Sequence, residues 1–439
     1  TRVAIMDKAQ LEDFTIERNN VERLVASIFK GKVRNLEDRL EAAFVDIGIE
    51  KNAFLHYWDI LPANLEKQYE VVERKGKRRN TPRISKKDIP KKYPPGSDII
   101  LQIQKGPIGT KGPRATTHLS IPGRFLVLLP YSDQLGISKK IQDPKERKRL
   151  KQVLQSLNIP DNMGAILRTA GEGMRKAYFL RDLKMLMDQW AEVKERIDNE
   201  KSPSCVYREP DLIERTVRDF LTEDVDRILI DSKTAYDRMQ SLVEKVSKQS
   251  KKKVQHYSEA QPVFDKFGIT KQLEKAFSRK VTLKSGGALV IDETEALVAI
   301  DVNTGSHKGG GKDQSSTILR VNLEAAEEVC RQLKLRNMGG LIIIDFIDMK
   351  QRRDRDKVLQ KMKEGLRRDR AKTHELPIPH LGLMEMTRQR HSESVLSAFH
   401  DECHYCNGRG TIKSPVTMSV EIQRKLTEIL KGRDVEQTD

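Results

Sequence analysis

Two aspartates that interrupt apolar runs are the residues of this sequence best placed to do chemistry. Asp301 stands in AIDVNTG, residues 299–305, and Asp345 stands in IIIDFIDMK, residues 342–350. Aspartate is a poor strand residue, and burying one without a partner costs free energy. Two apolar runs that each stop on an aspartate, about one helix apart, therefore call for a functional explanation.

A bound magnesium ion would explain this pair. Mg²⁺ is usually held by one or two carboxylates together with waters and phosphate oxygens. Such an ion makes a water nucleophilic near neutral pH and neutralises charge on a phosphorus centre under attack. Asn303 lies two residues beyond Asp301 and could orient a water or a phosphate oxygen. The alternative is that Asp301 and Asp345 only cap a turn or a helix, but a pair of them in a basic protein favours the metal.

The surrounding pattern predicts that both aspartates leave one sheet at the same edge. Residues 286–301 predict two strands joined by a polar turn, with Asp301 at the exit of the second. Apolar residues at helical spacing then predict a long helix, namely Leu319, Leu323, Ala326, Cys330 and Leu333. Asn337 and Gly339 fit a helix stop, and an apolar strand follows that ends on Asp345. Ligand sites in α/β sheets lie beyond the carboxyl ends of strands, so we expect both carboxylates there.

A glycine-rich loop, GSHKGGGKD at residues 305–313, follows the first of these strands. It departs from the phosphate loop G-x-x-x-x-G-K-[ST], because Ser306 replaces the first glycine and Asp313 follows the lysine. A P-loop ATPase is therefore disfavoured. We expect instead a basic loop beside the metal that contacts the backbone of a polymeric substrate.

The composition indicates a polyanionic partner. Among 439 residues, 81 Lys and Arg outnumber 64 Asp and Glu, which gives a net charge of +17 and a pI near 9.5. Such an excess favours nucleic acid over a membrane surface, since no basic amphipathic anchor is evident. Apolar runs as short as residues 125–130 predict no membrane span. Without a signal-peptide pattern or a disulfide framework among four cysteines, we expect a cytoplasmic protein.

Short β-rich segments near the start predict a small barrel of hairpins. They are SIFKGKV, EAAFVDIG and NAFLH, with Gly31 and Gly48 as turn residues between them, and DIILQIQKG at 98–106 returns to the same barrel. Residues 72–96 are basic and contain four prolines and two glycines. We predict that this insertion is a solvated loop and not core.

The barrel also carries a pattern typical of single-strand binding. Phe44 and Phe54 fall on adjacent β segments, and basic residues lie near them, namely Lys30, Lys32, Arg34 and Lys111. Barrels of this kind stack bases on exposed aromatic rings while basic side chains follow the backbone. The alternative is that each Phe belongs to the core. Phe54 is the better candidate for stacking, because His56, Tyr57 and Trp58 follow it.

The middle of the chain alternates strands and helices. Residues 125–130 predict a buried strand, and residues 165–173 predict a strand that leads into a helix ending near Arg196. Residues 211–250 predict a helix, a strand and a second helix, followed by a charged break at 248–253. This mixture predicts an α/β protein with several domains.

Cys403 and Cys406, in CHYCNGRG, form half of a zinc site on a tight turn. A structural zinc ion needs four ligands, and Cys205 and Cys330 are isolated in the sequence. Three arrangements remain: His404 and another residue complete the site, two chains share one ion, or the pair is a redox C-x-x-C. The redox arrangement lacks a thioredoxin-like context. We favour the shared ion.

Taken together, these motifs resemble the ribonuclease E/G family. The resemblance spans nearly the whole chain and rests on GKV, LEAAFVDIG, LRTAG, SGGALVIDETEALVAIDVNTG, NLEAAEEVCRQLKLRNMGGLIIIDFIDM, LMEMTRQR and CHYCNGRG. It implies a Mg²⁺-dependent, single-strand-specific endoribonuclease that leaves 5′-phosphate and 3′-hydroxyl ends, is stimulated by a 5′-monophosphate, and acts in rRNA processing and mRNA decay. It also implies a homodimer or homotetramer joined through zinc.

The resemblance further implies an RNase H-like unit that contains an inserted OB-fold barrel and a 5′-sensor, followed by a DNase I-like catalytic domain and a zinc link. The implied boundaries are RNase H-like 1–26 and 210–275, OB-fold 27–118 with an insertion at about 73–96, 5′-sensor 119–209, catalytic 276–398, zinc link 399–412, and the start of a small oligomerisation domain at 413–439.

The resemblance also assigns roles to single residues. Asp301 and Asp345 match magnesium ligands, and Asn303 matches their supporting asparagine. The other matches are Phe44, Phe54 and Lys111 for RNA binding, Arg168, Thr169 and Val127 for the 5′-monophosphate, and Cys403 and Cys406 for the zinc shared between chains. Two departures from the family pattern are His404, where a proline is usual, and the insertion in the barrel.

Two other functions compete with the endoribonuclease. A non-catalytic RNA-binding regulator would keep the barrel and lose the chemistry, but Asp301, Asn303 and Asp345 are all present. A DNA nuclease is the third possibility, since a stacking barrel alone does not distinguish ribose from deoxyribose. The intact acidic pair favours the enzyme over the regulator, and the DNA nuclease is the weaker third class.

Overall fold

A computed structural model describes residues 1–17, 23–61, 69–74, 85–107, 111–221, 225–246, 249–294, 296–304, 314–367, 369, 371–389, 403–406 and 410–436. The chain divides into two compact units, residues 1–393 and 394–439. None of the helices in the described ranges is long and apolar enough to cross a membrane. The predicted loop at 305–313 lies outside the described residues.

The first unit opens with a hairpin and a closed barrel. The hairpin strands are β1 (Arg2–Asp7) and β2 (Gln10–Ile16). The barrel strands are β3 (Ile28–Glu37), β4 (Ala42–Asp46), β5 (Ala53–His56), β7 (Asp98–Lys105) and β8 (Arg114–Thr116). The strand β3 pairs with both β4 and β7 and so closes the barrel, while β13 (Ser204–Tyr207) adds to its other edge. This five-stranded barrel is OB-like, as predicted.

Glycine at position 31 has a different role from the predicted turn. Gly31 lies within β3, where a Cβ atom would come within 2.5 Å of the Val45 side chain on β4. A side chain there would therefore collide with the barrel core. Gly48, in contrast, has a φ of +83° and does mark a turn after β4.

The basic insertion is not only a solvated loop, and that prediction is wrong for its described end. Residues 85–96 include a short helix, α1 (Ile89–Lys92), and the Ile89 side chain is fully buried in the barrel core. Tyr93 packs against the same core. Residues 75–84 of the insertion lie outside the described residues. The insertion therefore contributes an apolar anchor to the barrel that its charge and prolines concealed.

A second sheet follows the barrel. Its strands run in the order β6 (Tyr69–Val72), β11 (Leu135–Ser138), β12 (Met163–Leu167), β10 (Leu126–Pro130) and β9 (Ile121–Pro122). Two helices, α2 (Pro144–Gln155) and α3 (Lys176–Asn199), contribute buried residues to the same core. The strand at 126–130 and the strand-to-helix passage after residue 165 were both predicted.

A small helical region links this sheet to the last one. It contains α4 (Leu212–Phe220), α5 (Lys233–Val246), α6 (Val263–Lys266) and α7 (Ile269–Phe277), with β14 (Ile228–Ile230) parallel to β15 (Val254–His256). The predicted order of helix, strand and helix is confirmed.

The last sheet of the first unit carries both aspartates. Its strands run in the order β16 (Lys280–Thr282), β17 (Ala288–Glu293), β18 (Leu297–Asn303), β19 (Gly340–Asp345), β21 (Leu383–Gln389) and β20 (Lys372–Glu375). The pair β18 and β19 is parallel, and the other described pairs are antiparallel. The crossover helix α8 (Gln314–Leu335) buries the predicted apolar face, and α9 (Arg352–Leu366) packs in the same core.

The second unit is described at a turn, residues 403–406, and at one helix, α10 (Pro415–Glu436). This helix exposes many large apolar side chains, namely Val416, Met418, Val420, Ile422, Leu426, Ile429 and Leu430. Such a surface is unusual for a helix that has no partner.

Candidate functional site

The sheet brings Asp301 and Asp345 side by side. They are direct register partners on the parallel strands β18 and β19, which lie about 4.8 Å apart in such a pairing. Both residues are exposed. Asn303 donates from Nδ2 to Oδ2 of Asp301 over 2.6 Å, so its amide fixes that carboxylate. Because β18 runs on to Asn303, Asp301 lies two residues before the strand end and not at the predicted exit.

The electrostatics of this edge are those of carboxylates held close together. Partial burial raises the pKa of Asp345, and repulsion from Asp301 and Asp348 raises it further. Asp348 is a third acidic residue, and it was not among the site residues predicted from the sequence. Its position three residues after Asp345, in the same acidic motif, was the signal that could have identified it.

A buried asparagine holds the segment that joins these acids. Asn322 on α8 is fully buried and bonds both backbone groups of Ile347. Its Nδ2 donates to the Ile347 carbonyl over 2.8 Å, and its Oδ1 accepts from the Ile347 N–H over 3.1 Å. The crossover helix therefore fixes the backbone between Asp345 and Asp348. From the sequence alone, Asn322 was noted only as the first residue of the motif NLEAAEEVCRQLKLRNMGGLIIIDFIDM, with no role of its own.

The donor set suits a magnesium ion better than a transition metal. Two exposed carboxylates with an amide beside them are hard oxygen ligands, and Mg²⁺ needs few protein ligands because it keeps its waters. Within the described ranges, no three His, Cys, Asp or Glu side chains form a cluster that could hold a metal by themselves. The residues present therefore fit an ion that also binds waters and substrate oxygens.

The barrel places its two predicted stacking residues together. Phe44 and Phe54 are register partners on β4 and β5, with ring centroids 5.8 Å apart and planes at 72°. Both are partly exposed, so neither is simply core. Lys111 is exposed and lies two residues before Pro113, whose carbonyl accepts from the Phe54 N–H over 2.7 Å. Phe44 and Phe54 therefore share one face of the barrel, and the backbone two residues after Lys111 contacts the Phe54 strand.

Two of the basic residues named beside them have other partners. The Lys30 ammonium donates to the carbonyls of Ile197 and Glu200, both over 2.8 Å, at the end of α3. Arg34 pairs with Asp46 over 2.6 Å. Lys30 therefore fixes a helix end, and only the tertiary structure reveals that role.

Arg168 lies where β12 ends, and its guanidinium is already engaged. Nη1 donates to the Gly123 carbonyl and to Asp219 Oδ1, the latter over 3.0 Å. Thr169 beside it is exposed, and Val127 pairs with Ile166 one strand away. The three predicted sensor residues therefore lie close together. Asp219, on α4, was missed because it is distant in sequence.

The segment that carries Gly123 is itself held by a buried acid. Asp182 on α3 accepts from the backbone N–H groups of Arg124, Phe125 and Leu126, over 3.1, 2.8 and 2.9 Å. Burial raises the pKa of Asp182, although these three bonds and nearby Arg168 favour its charged form. The helix thereby sets the position of the Gly123 carbonyl that Arg168 contacts.

The cysteine pair stands on an exposed turn in the second unit. Bonds from the backbone N–H groups of Cys406 and Tyr405, and then from the Cys406 side chain, lower the pKa of Cys403. A lowered pKa favours the thiolate that zinc binds. Cys330, in contrast, is buried in the core, where burial raises its pKa to about 12. His404 is exposed on the same turn.

Comparison with known proteins agrees with this geometry. The family model described as "Ribonuclease E/G family" matches residues 120–391. Ribonuclease G of Escherichia coli strain K12 is 39% identical over 434 residues, which cover 99% of this chain and 86% of the relative. Ribonuclease G of Haemophilus influenzae is 37% identical over 98% of this chain and 85% of its own length. Ribonuclease E of Haemophilus influenzae is 39% identical over 97% of this chain and 44% of its own length. The chain belongs to the ribonuclease E/G family.

Proposed function

We propose that this protein is an endoribonuclease that hydrolyses single-stranded RNA with the help of Mg²⁺ and leaves 5′-phosphate and 3′-hydroxyl ends. Family membership supports the hydrolysis of RNA phosphodiesters. The observation that carries the chemistry is the register pairing of Asp301 with Asp345 on adjacent parallel strands.

Asp301 and Asp345 would hold the ion, which when bound supplies positive charge to the scissile phosphate and acidity to a water. Asn303 has two tasks in this arrangement. Its Nδ2 already bonds Asp301, which keeps that carboxylate in one orientation. Its amide oxygen orients the attacking water by accepting a hydrogen bond. Asn322 keeps the Asp345 side of the site in place through Ile347.

The barrel would bind the single-stranded RNA. Bases stack on Phe44 and Phe54, and Lys111 contacts the phosphate backbone. Both rings are partly exposed on one face, which supports stacking over a purely structural role. The net charge of +17 adds a long-range attraction for RNA.

Arg168, Thr169 and Val127 would form a pocket for a 5′-monophosphate. A guanidinium binds a phosphate through two parallel hydrogen bonds, and the Thr169 hydroxyl can donate a third. Asp219 holds the Arg168 guanidinium before the substrate arrives. The phosphate would therefore add to, or replace, an existing ion pair, which makes the pocket sensitive to the charge of the 5′ end.

The finer assignments of fold and assembly belong to the same proposal. They are the RNase H-like and DNase I-like units with the boundaries given above, a cytoplasmic role in rRNA processing and mRNA decay, and a zinc-linked homodimer or homotetramer. The two cysteines on one turn and the exposed apolar side chains of α10 support the assembly.

A cleavage assay tests the proposed function. A single-stranded RNA with a 5′-monophosphate is incubated with the protein and Mg²⁺, and with EDTA in its place. We expect internal cuts only with Mg²⁺, and products with 5′-phosphate and 3′-hydroxyl ends. RNA binding without cleavage would indicate the non-catalytic regulator, and equal cleavage of single-stranded DNA would indicate a general nuclease.

A further inference from the structure

An exposed tryptophan lies beside the proposed RNA-binding face. Trp58 lies in the short helical turn after β5, and 61% of its surface is exposed. The sequence has two tryptophans, and the other, Trp190, is buried. An open aromatic ring beside a face that binds single-stranded nucleic acid is a candidate platform for base stacking.

Trp58 lies at the end of the segment that carries the aromatic side chains Phe54 and His56. The rings of Phe44 and Phe54 are 5.8 Å apart, and the rings of Phe54 and His56 are 6.4 Å apart. The backbone N–H of Trp58 donates a hydrogen bond to Nδ1 of His56 over 3.2 Å. Phe44, Phe54, His56 and the exposed Trp58 therefore lie on neighbouring barrel elements, where several aromatic side chains are available to unpaired bases.

The insertion holds the Trp58 ring in place. The Lys86 ammonium lies 3.9 Å from the centroid of the ring, a cation–π contact. Lys86 is itself fixed by two hydrogen bonds to the Glu41 carboxylate, over 2.9 and 2.6 Å. Since one face of the ring is covered by Lys86 and most of the residue is still exposed, the opposite face is open to solvent.

The charge around the ring suits a phosphate backbone. Arg114 is the register partner of Phe54, and it pairs with Asp59 next to Trp58 over 2.9 Å. Lys86 and Arg114 are both partly exposed, and each is paired with a carboxylate, Glu41 and Asp59 respectively. Cations beside open aromatic rings are the arrangement that single-stranded nucleic acid recognises.

We propose that Trp58, held by Lys86, is an additional base-stacking subsite for single-stranded RNA, which extends the binding face beyond Phe44 and Phe54. The subsite deepens the proposed function and rests on RNA binding by the barrel. It also gives the insertion a role, because Lys86 belongs to it. The ligand is an unpaired base. The subsite does not discriminate among the four bases, because each of them has a flat face that can stack on the ring.

Tryptophan fluorescence tests the subsite directly. In the Trp190→Phe variant, Trp58 is the remaining tryptophan, and EDTA prevents cleavage during the measurement. We expect a single-stranded RNA to quench the emission of Trp58 and a blunt RNA duplex of the same length to leave it unchanged. Emission that stays constant while the same RNA saturates the protein would overturn the proposal.

Affinity measurements on full-length variants give the second readout. We expect Trp58→Ala to weaken binding of single-stranded RNA roughly 5- to 100-fold, and Trp58→Phe to keep most of the affinity. Tyr131→Asn is the matched control, since Tyr131 is 60% exposed, lies outside the barrel, and has a φ of +58° that asparagine tolerates. That control should bind like the unmodified protein.

The outcomes separate the subsite from the proposed function. If Phe54→Ala weakens binding and Trp58→Ala does not, the subsite is wrong and the RNA-binding barrel stands. Equal losses for Trp58→Phe and Trp58→Ala would show that stacking is not the cause and would also refute the subsite. If the unmodified protein fails to bind single-stranded RNA, the proposed function itself fails.

Discussion

At the scale of single residues, each candidate functional side chain depends on a charged or polar neighbour. Partial burial and repulsion from the nearby charges of Asp301 and Asp348 raise the pKa of Asp345. Arg168 is held by Asp219. Removing one member of such a pair therefore changes the charge at the site, and the effect on cleavage can be measured.

Asp345→Asn should reduce the rate of RNA cleavage at least about a hundredfold, because it removes one of two carboxylates that would hold Mg²⁺. Binding of RNA in EDTA should stay within a few fold, since the barrel is untouched. The matched control is Asp292→Asn on β17 of the same sheet, which breaks only an exposed pair with Arg279. Equal losses of binding and cleavage would contradict the assignment of Asp345.

Arg168→Ala should slow cleavage of 5′-monophosphorylated RNA about 10- to 100-fold, the value of charge-assisted hydrogen bonds to one phosphate. Cleavage of the 5′-hydroxyl RNA should change little, because that substrate lacks the phosphate. Arg279→Ala, which removes an exposed ion pair with Asp292 on β17, serves as control. Parallel slowing of both substrates by Arg168→Ala would indicate a structural role.

At the scale of elements, the crossover helix α8 both connects and positions the two acidic strands. Its apolar face is buried against the sheet. The fully buried Asn322 of this helix bonds the backbone of Ile347, just after β19. The short helix α1 plays a comparable part in the barrel, since Ile89 anchors an otherwise basic insertion.

Asn322→Ala should lower the free energy of unfolding by about 1–3 kcal/mol, because it leaves the partly buried Ile347 backbone groups without their partner. The turnover rate should fall more than the affinity for RNA, since the segment next to Asp345 loses its support. Urea denaturation and steady-state kinetics measure the two effects. The control is Glu327→Ala on the exposed side of the same helix, which should change stability by less than about 0.5 kcal/mol.

Ile89→Ala should lower the free energy of unfolding by about 2–5 kcal/mol if the insertion is part of the barrel core. Lys91→Ala, two residues away on the exposed side of α1, should have little effect. Chemical denaturation of both variants decides the matter. A stability unchanged by Ile89→Ala would mean that the insertion does not pack on the barrel in solution.

At the scale of the whole molecule, the candidate functional features lie in two separate units of the chain. The first contains the acidic pair, the barrel and the Arg168 pocket, and the second carries the cysteine turn and the exposed apolar helix α10. Two thiolates supply half of a tetrahedral zinc site. We propose that a second copy of the chain supplies the two remaining ligands.

Cys403→Ser combined with Cys406→Ser should release zinc and convert the assembly into smaller species. The unmodified protein should contain one zinc per two chains, because each chain offers two thiolates. Metal analysis and light scattering on the same sample measure both quantities, with Cys205→Ser as the matched control. One zinc per chain with no change in mass would instead assign His404 to a site within a single chain.

The sequence by itself determined the elements and many of the residues of interest. Periodicity predicted β17, β18, α8 and β19, because a buried helix face and a buried strand each repeat at a fixed spacing. The hairpin pieces predicted the barrel in the same way. Asp301 and Asp345 stood out because a carboxylate is out of place in an apolar strand. These are local properties, and a linear pattern records them.

Only the tertiary structure decided which residues meet. The pairing of Arg168 with Asp219, the bonds from Asn322 to Ile347, and the use of Lys30 at the end of α3 join residues far apart in the chain. The burial of Ile89 was likewise hidden within a run of lysines and prolines. Whether a charged side chain is solvated or engaged depends on what the fold places beside it, because hydrogen bonds and burial act over a few ångströms in space and not along the sequence.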